Sequence, residues 1–293
     1  MLQVDQLTRR FGEVTAVDHV SFTVPDGLLV GFVGGNGAGK TTTMRMIMGV
    51  LGISDGEVRW NDAPVTAAER RTFGYMPEER GLYPKQPVVD QLVYLGQLQG
   101  LSAGEARSSA DLLLDRFGLG GRAKDKLESL SLGNQQRVQV IAAVIARPRL
   151  LVLDEPFSGL DPQAVDDMVE LLREFTRDGV PVLFSSHQLD LVERLCDRIV
   201  ILSRGRVVAD GAADDLRHSG PVRHRLVTGG DVGWVRDLGW LQVVDVAGDR
   251  AIVQLAAPQD TDRLLAEAMR RGSVRELAEL VPSVADIYRE VTA

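Results

Sequence analysis

The chain has 293 residues, 44% of them hydrophobic and 25% charged, which is ample material for a packed core and excludes a wholly disordered protein. A net charge of -8 argues against a surface built to neutralise a nucleic-acid backbone, and the lone cysteine, Cys196, leaves no intramolecular disulfide and fits a reducing cytoplasm. No stretch approaches the roughly 18 apolar residues of a membrane-crossing helix, and the start MLQVDQLTRR lacks the apolar core of a signal peptide. Any role at a membrane is expected to run through a partner.

Over residues 1–30 apolar and polar positions alternate (Leu2, Val4, Leu7; Val20, Phe22, Val24) around turn signals at Gly12 and Pro25-Asp26-Gly27, which predicts antiparallel strands. A buried strand is expected over 28–33, followed by a glycine cluster and a helix over 41–50. From Pro87 to Gly118 the spacing turns helical, with Val89, Leu92, Val93, Leu95 and Leu98, then Ala110, Leu113, Leu114 and Phe117. This reads as a helical insertion.

Beyond it come expected strands over 150–153 and 182–185, helices over 163–177 and 189–196, and a hairpin joining 199–202 to 207–209. Alternating strands and helices imply a largely parallel sheet covered on both faces. Past Gly220 the order becomes strand 222–227, short helix 232–238, strands 241–246 and 251–256, helix 261–271 and strand 274–280, the βαββαβ of a split, ferredoxin-like unit. The expected domains are therefore 1–219, with a helical part near 86–147, and 220–293.

Gly34-Gly35-Asn36-Gly37-Ala38-Gly39-Lys40-Thr41 satisfies GxxxxGK[ST] between an expected buried strand and a helix. Glycines let backbone N–H groups crowd around phosphate oxygens, and the following helix turns its positive end to the same anion. Gly34, Asn36, Gly37, Ala38, Gly39, Lys40, Thr41 and Thr42 are the candidate nucleotide contacts. Lys40 would reach the β and γ phosphates, and Thr41 would offer its hydroxyl to Mg²⁺.

Leu150-Leu151-Val152-Leu153-Asp154-Glu155 supplies the other half of such a site: a buried strand ending in two carboxylates. Alone, paired acids after a strand read as helix N-terminal charges. Downstream of a phosphate loop, Asp154 instead becomes a metal-side group and Glu155 a candidate base for the attacking water.

The run from Glu128-Ser129-Leu130-Ser131-Leu132-Gly133-Asn134-Gln135-Gln136-Arg137 through Asp154-Glu155, Ser158-Gly159-Leu160-Asp161 and Ser185-Ser186-His187 resembles, in order, the signature motif, Walker B motif, D-loop and H-loop of ABC ATPases. The resemblance covers about residues 1–215. It implies an α/β P-loop ATPase with an antiparallel β subdomain, a parallel core and a helical subdomain, to which the unit read past Gly220 adds a small α+β C-terminal domain. It further implies ATP and Mg²⁺ as cofactors, Glu155, His187 and Glu78 as catalytic groups, and Thr41, Asp154 and Glu78 around the metal.

Phe11, in Arg10-Phe11-Gly12, matches the family's adenine-stacking aromatic, or is an ordinary strand aromatic. Ser131 caps a helix beginning near Asn134, contacts an opposing nucleotide, or does both. Two positions depart from the family pattern. Leu132 and Asn134 replace the first glycine and the glutamine of LSGGQ, leaving Ser131 and Gly133; and Glu78, after Tyr75-Met76-Pro77, stands where the Q-loop has a neutral amide.

The family works as a head-to-tail pair, so Lys40, Asp154 and Glu155 of one copy would face Ser131 and Gly133 of another, in a homodimer or in a heterodimer with a second ABC ATPase, and Asp161 of the D-loop is a further candidate nucleotide contact. The ending Pro282-Ser283-Val284-Ala285-Asp286-Ile287-Tyr288-Arg289-Glu290-Val291-Thr292 and the segment Pro77-Glu78-Glu79-Arg80-Gly81-Leu82-Tyr83-Pro84 are similar to ATPases paired with ABC-2-type export permeases. The resemblance thus implies the ATP-hydrolysing subunit of an exporter, held at the inner face of the cell membrane by a separate permease. Two other readings stand beside it: a soluble ABC ATPase acting on nucleic acid or ribosomes, and a catalytically weak regulatory ATPase suggested by Leu132, Asn134 and Glu78. Against the former, the C-terminal strands lack the aromatic-rich, basic pattern of RNA-binding sheets.

Overall fold

The computed structural model describes residues 1–79, 81–218, 222–257 and 260–292. They group into two compact units, Met1–Ala213 with the chain end from Tyr288, and Asp214–Ile287. The boundary expected at 219/220 lies outside the described residues.

In chain order the first unit begins with β1 (Leu2–Phe11), β2 (Val14–Val24), β3 (Leu29–Gly34), α1 (Lys40–Ile47), β4 (Asp55–Trp60), β5 (Ala63–Pro64), α2 (Ala67–Arg70) and β6 (Phe73–Met76). Three helices follow, α3 (Val88–Leu98), α4 (Ala103–Arg116) and α5 (Leu132–Val144). The unit continues through β7 (Leu150–Leu153), α6 (Pro162–Arg177), β8 (Val182–Ser186), α7 (Leu189–Leu195), β9 (Arg198–Ser203) and β10 (Arg206–Ala212). After α8 (Ala213–His218) the second unit runs β11 (Arg223–Thr228), β12 (Leu241–Ala247), β13 (Arg250–Leu255), α9 (Asp260–Arg271) and β14 (Val274–Leu280), and the last helix is α10 (Val284–Thr292).

A six-stranded sheet of order β10-β9-β3-β8-β7-β6 forms the centre of the first unit, parallel except for β10. Every residue of β3, β7 and β8 is buried, as strands covered on both faces must be, and only Ser185 and Ser186 at the end of β8 interrupt the apolar composition. The α/β core expected from the alternating elements is present. A separate antiparallel sheet of order β2-β1-β4-β5 packs Leu2, Val4, Val20, Phe22 and Val58 into the same core as Phe32, Met44 and Val152.

Local chemistry explains the helices. Asp161 caps α6 by accepting from the Ala164 N–H at 2.8 Å, Pro162 opens its first turn, and Ala164, Met168, Leu171 and Leu172 recur on one buried face. Ser102 and Glu105 form a capping box on α4, which buries Ala106, Ala110 and Leu114 along a single stripe.

In the second unit the antiparallel order β12-β13-β11-β14 has its own core of Leu226, Val235, Val253, Leu255 and Leu264. That strand order is the split arrangement read from sequence, with one difference. The short helix expected over 232–238 is a 3₁₀ turn at Gly233–Asp237, a segment too short to sustain α-helical bonding. Strands β4 to β6, two to six residues long, and α10, whose nine residues carry an amphipathic pattern, lie outside the expected elements.

Candidate functional site

The parallel sheet places four loops at one edge. Val33 of β3 lies beside Ser186 of β8, Leu153 of β7 beside Phe184 of β8, and Met76 of β6 beside Leu153. The segments that follow these strand ends carry the glycine loop, His187, Asp154-Glu155 and Glu78. The carboxyl edge of such a sheet is where α/β folds bind ligands, since strand ends and helix N-termini meet there.

A cavity of about 480 Å³ opens at this edge, lined by Ala16, the loop from Gly35 to Thr42, Glu78, Asp154 and Glu155. Lys40 is buried, and its ammonium donates to the Gly34 carbonyl at 2.7 Å and the Gly35 carbonyl at 3.3 Å. Gly39 caps α1 with φ of 105°, and a Cβ there would stand 2.8 Å from the Ala16 carbonyl oxygen, so both conformation and space demand glycine. Thr42 and Asn36 line the same wall.

Asp154 and Glu155 are oriented by Ser185, which the sequence places in the H-loop run without assigning it a role. The Ser185 hydroxyl donates to Asp154 Oδ1 at 2.5 Å and accepts from the Glu155 N–H at 2.8 Å. Glu155 adopts φ of 53°, a left-handed backbone that a non-glycine residue holds only when its surroundings enforce it. Gln136 adds to that enforcement, its side-chain amide donating to the carbonyls of Glu155 and Pro156 at 3.0 and 3.1 Å. The Glu155 carboxylate meets His187 Nδ1 at 2.9 Å, with His187 half-exposed. A serine ending a buried strand was the available signal for Ser185; its partners, more than twenty residues away, were not.

The fit of a divalent cation rests on Asp154. Its Oδ2 is buried in the cavity wall and has no hydrogen-bond partner among the described residues, an arrangement that costs free energy unless a cation or donor faces it. Thr41 Oγ1 lies 3.5 Å from Glu78 Oε2 on the same wall. Among the described residues no three Asp, Glu, His or Cys side chains gather closely enough to enclose a metal. Burial first, and the Asp154 carboxylate second, push the Tyr75 phenol above its ordinary range, so it stays neutral near this wall.

Ser131, Gly133 and Asp161 are not at this cavity. They line a separate one of about 290 Å³ with Leu132, Asn134, Arg137, Gly159 and Ala164. Ser131 caps α5, accepting from the Asn134 N–H at 3.4 Å, and Leu132 at the replaced glycine position is exposed. Phe11 is 47% exposed beside the β1–β2 turn and does not line the phosphate-side cavity, to which the same hairpin contributes Ala16.

Residues 17–158 match the ABC transporter family, and residues 211–292 match the C-terminal domain of DrrA1-3-like ATP-binding proteins. The ABC transporter ATP-binding protein YhaQ of Bacillus subtilis is 40% identical over 292 residues, covering 99% of this chain and 98% of its own length. The Nod factor export ATP-binding protein I of Paraburkholderia xenovorans is 34% identical, over 73% of this chain and 72% of that one. A solved ATP-binding subunit of an ABC transporter superposes with a TM-score of 0.69 at 35% identity, covering 75% of this chain and 92% of the other. With the phosphate loop, the acidic pair and the histidine gathered at one sheet edge, the chain belongs to the ABC transporter family as one of its ATP-binding proteins.

Proposed function

We propose that this chain binds and hydrolyses Mg-ATP as the motor subunit of an exporter whose membrane-crossing part is a separate ABC-2-type permease. The observation that carries the reading is the meeting of Lys40, Thr41, Asp154 and Glu155 on one cavity, with His187 bonded to Glu155. Lys40 and the amides of residues 37–42 would hold the phosphates. Thr41, Asp154 and Glu78 would hold Mg²⁺, which when bound neutralises phosphate charge. Glu155 takes the proton of the attacking water, and His187 keeps the carboxylate aimed. Loss of nucleotide binding in Lys40→Ala tests the assignment; unchanged affinity and turnover would refute it.

The signature and D-loop residues line their own cavity rather than the phosphate one, which supports a head-to-tail pair in which a second ATPase, identical or related, brings Ser131, Gly133 and Asp161 to the nucleotide. Phe11 serves as the adenine platform at the hairpin end. Residues 1–219 form the ATPase domain and 220–293 an accessory one. Export and the permease partner rest on the printed functions of relatives and on the DrrA-like C-terminal match. Among the described residues no helix is long and apolar enough to cross a membrane, so attachment to the inner membrane face would come from the permease. Co-purification with the product of a neighbouring permease gene, and ATPase activity with and without it, tests this part.

A further inference from the structure

We propose that Arg9 is a positioning residue for the nucleotide base: it backs the Phe11 ring and ties it to the segment that ends the phosphate-loop helix. The inference rests on the reading of Phe11 as the base platform.

The Arg9 guanidinium carbon stands 4.6 Å from the Phe11 ring centroid, over one face of the ring. Phe11 remains 47% exposed, as expected of a ring with one face covered and the other open. The cation is itself held, since Arg9 Nη1 donates to the Gly52 carbonyl at 2.8 Å. Gly52 follows α1, whose first residue is Lys40.

Two further bonds stitch the same strand to the same segment. The Ser54 N–H donates to the Thr8 carbonyl at 2.9 Å, and the Arg10 N–H to Ser54 Oγ at 3.1 Å. The ring that would take the base and the helix whose start takes the phosphates are therefore tied together through residues 52–54. Of these ties, Arg9 is the one made by a side chain that also touches the ring.

Two physical effects follow. A phenylalanine at the end of an exposed hairpin samples several rotamers, and ordering it on binding costs entropy; a guanidinium stacked behind it removes part of that cost beforehand. The cation also draws on the ring's π density, and a purine with its large π face gains more than a pyrimidine from stacking on the free side.

The experiment compares Mg-ATP with Mg-tripolyphosphate, which lacks base and sugar, by calorimetry on the full chain, using Arg9→Ala, Arg9→Gln, Phe11→Ala and the double variant. Arg9→Gln keeps a donor for Gly52 while removing the charge, and guards against misfolding of the alanine variant. The expected result is a loss of about two- to fivefold in ATP affinity for Arg9→Ala, unchanged tripolyphosphate affinity, a narrowed preference for ATP over CTP, and no added loss in the Phe11→Ala background. Equal losses for both ligands would mean that Arg9 only supports α1 and would overturn the proposal. So would unchanged ATP affinity in both Arg9 variants while Phe11→Ala weakens ATP. If Phe11→Ala itself leaves ATP affinity unchanged, the platform reading fails, and the Arg9 role fails with it.

Discussion

His187 Nδ1 sits 2.9 Å from Glu155 Oε2, joining the end of β8 to the end of β7 across the strand pair that also holds Asp154. The imidazole orients a carboxylate whose backbone is already held at φ of 53°. Glu155→Gln preserves shape and removes the proposed base, so it is expected to cut ATP turnover by roughly 10²-fold or more while retaining ATP. Size-exclusion chromatography with Mg-ATP should then show an accumulated dimer. Wild-type turnover in this variant would remove Glu155 from the chemistry.

Glu78 adds a carboxylate beside Thr41 where an amide is the family pattern. With Glu78 on the metal side, Glu78→Gln raises the Mg²⁺ concentration needed for half-maximal ATPase rate and lowers turnover. If it only repels phosphate, the change tightens ATP binding with little loss of rate. Mg²⁺ titrations of both proteins separate these results, and superimposable curves with equal ATP affinity would exclude either role.

Gly31 packs β3 directly against α7. A Cβ there would stand 2.6 Å from Val192 Cγ1 and 2.7 Å from Cys196 Sγ. Gly31→Ala therefore overpacks a filled core and is expected to destabilise by about 1–3 kcal/mol, read from urea denaturation midpoints. Cys196→Ala removes one of the two colliding atoms, so the double variant should lose less than the sum of the two single changes.

Burial, and secondarily the Asp197 carboxylate, pushes the Cys196 thiol well above its ordinary range. The folded state thus holds the proton more tightly than the unfolded chain. This contribution to stability is complete below the unfolded thiol's value, near 8.5, and declines as pH rises above it. Native protein should resist iodoacetamide at pH 8 and react on unfolding. Fast labelling of the folded chain would contradict the burial.

Removal of residues 221–293 should leave a protein that folds and binds Mg-ATP, although the cut also takes the chain end from Tyr288 that groups with the first unit. The core around Phe32, Met44 and Val152 and the core around Leu226, Val253 and Leu264 share no residue, and every nucleotide motif precedes the cut. Failure of a soluble truncated chain to bind nucleotide, measured by calorimetry, would show the two parts to be energetically inseparable.

The glycine loop, the acidic pair and the order of the motifs were legible from sequence because each is contiguous. A buried strand, a loop and a capped helix are specified by neighbouring residues through short-range sterics and hydrogen bonds. The βαββαβ order of the second unit was legible for the same reason, since alternation marks each strand locally.

Tertiary structure decided which of these segments meet. The order β3-β8-β7-β6 places β8 between two strands that precede it in the chain. Only that interleaving brings Ser185 to Asp154, His187 to Glu155 and Thr41 toward Glu78. It likewise took folded β1 to set Arg9 behind Phe11 and onto Gly52. Such pairings depend on burial and hydrogen bonding summed over the whole sheet, and no window of local periodicity carries that sum.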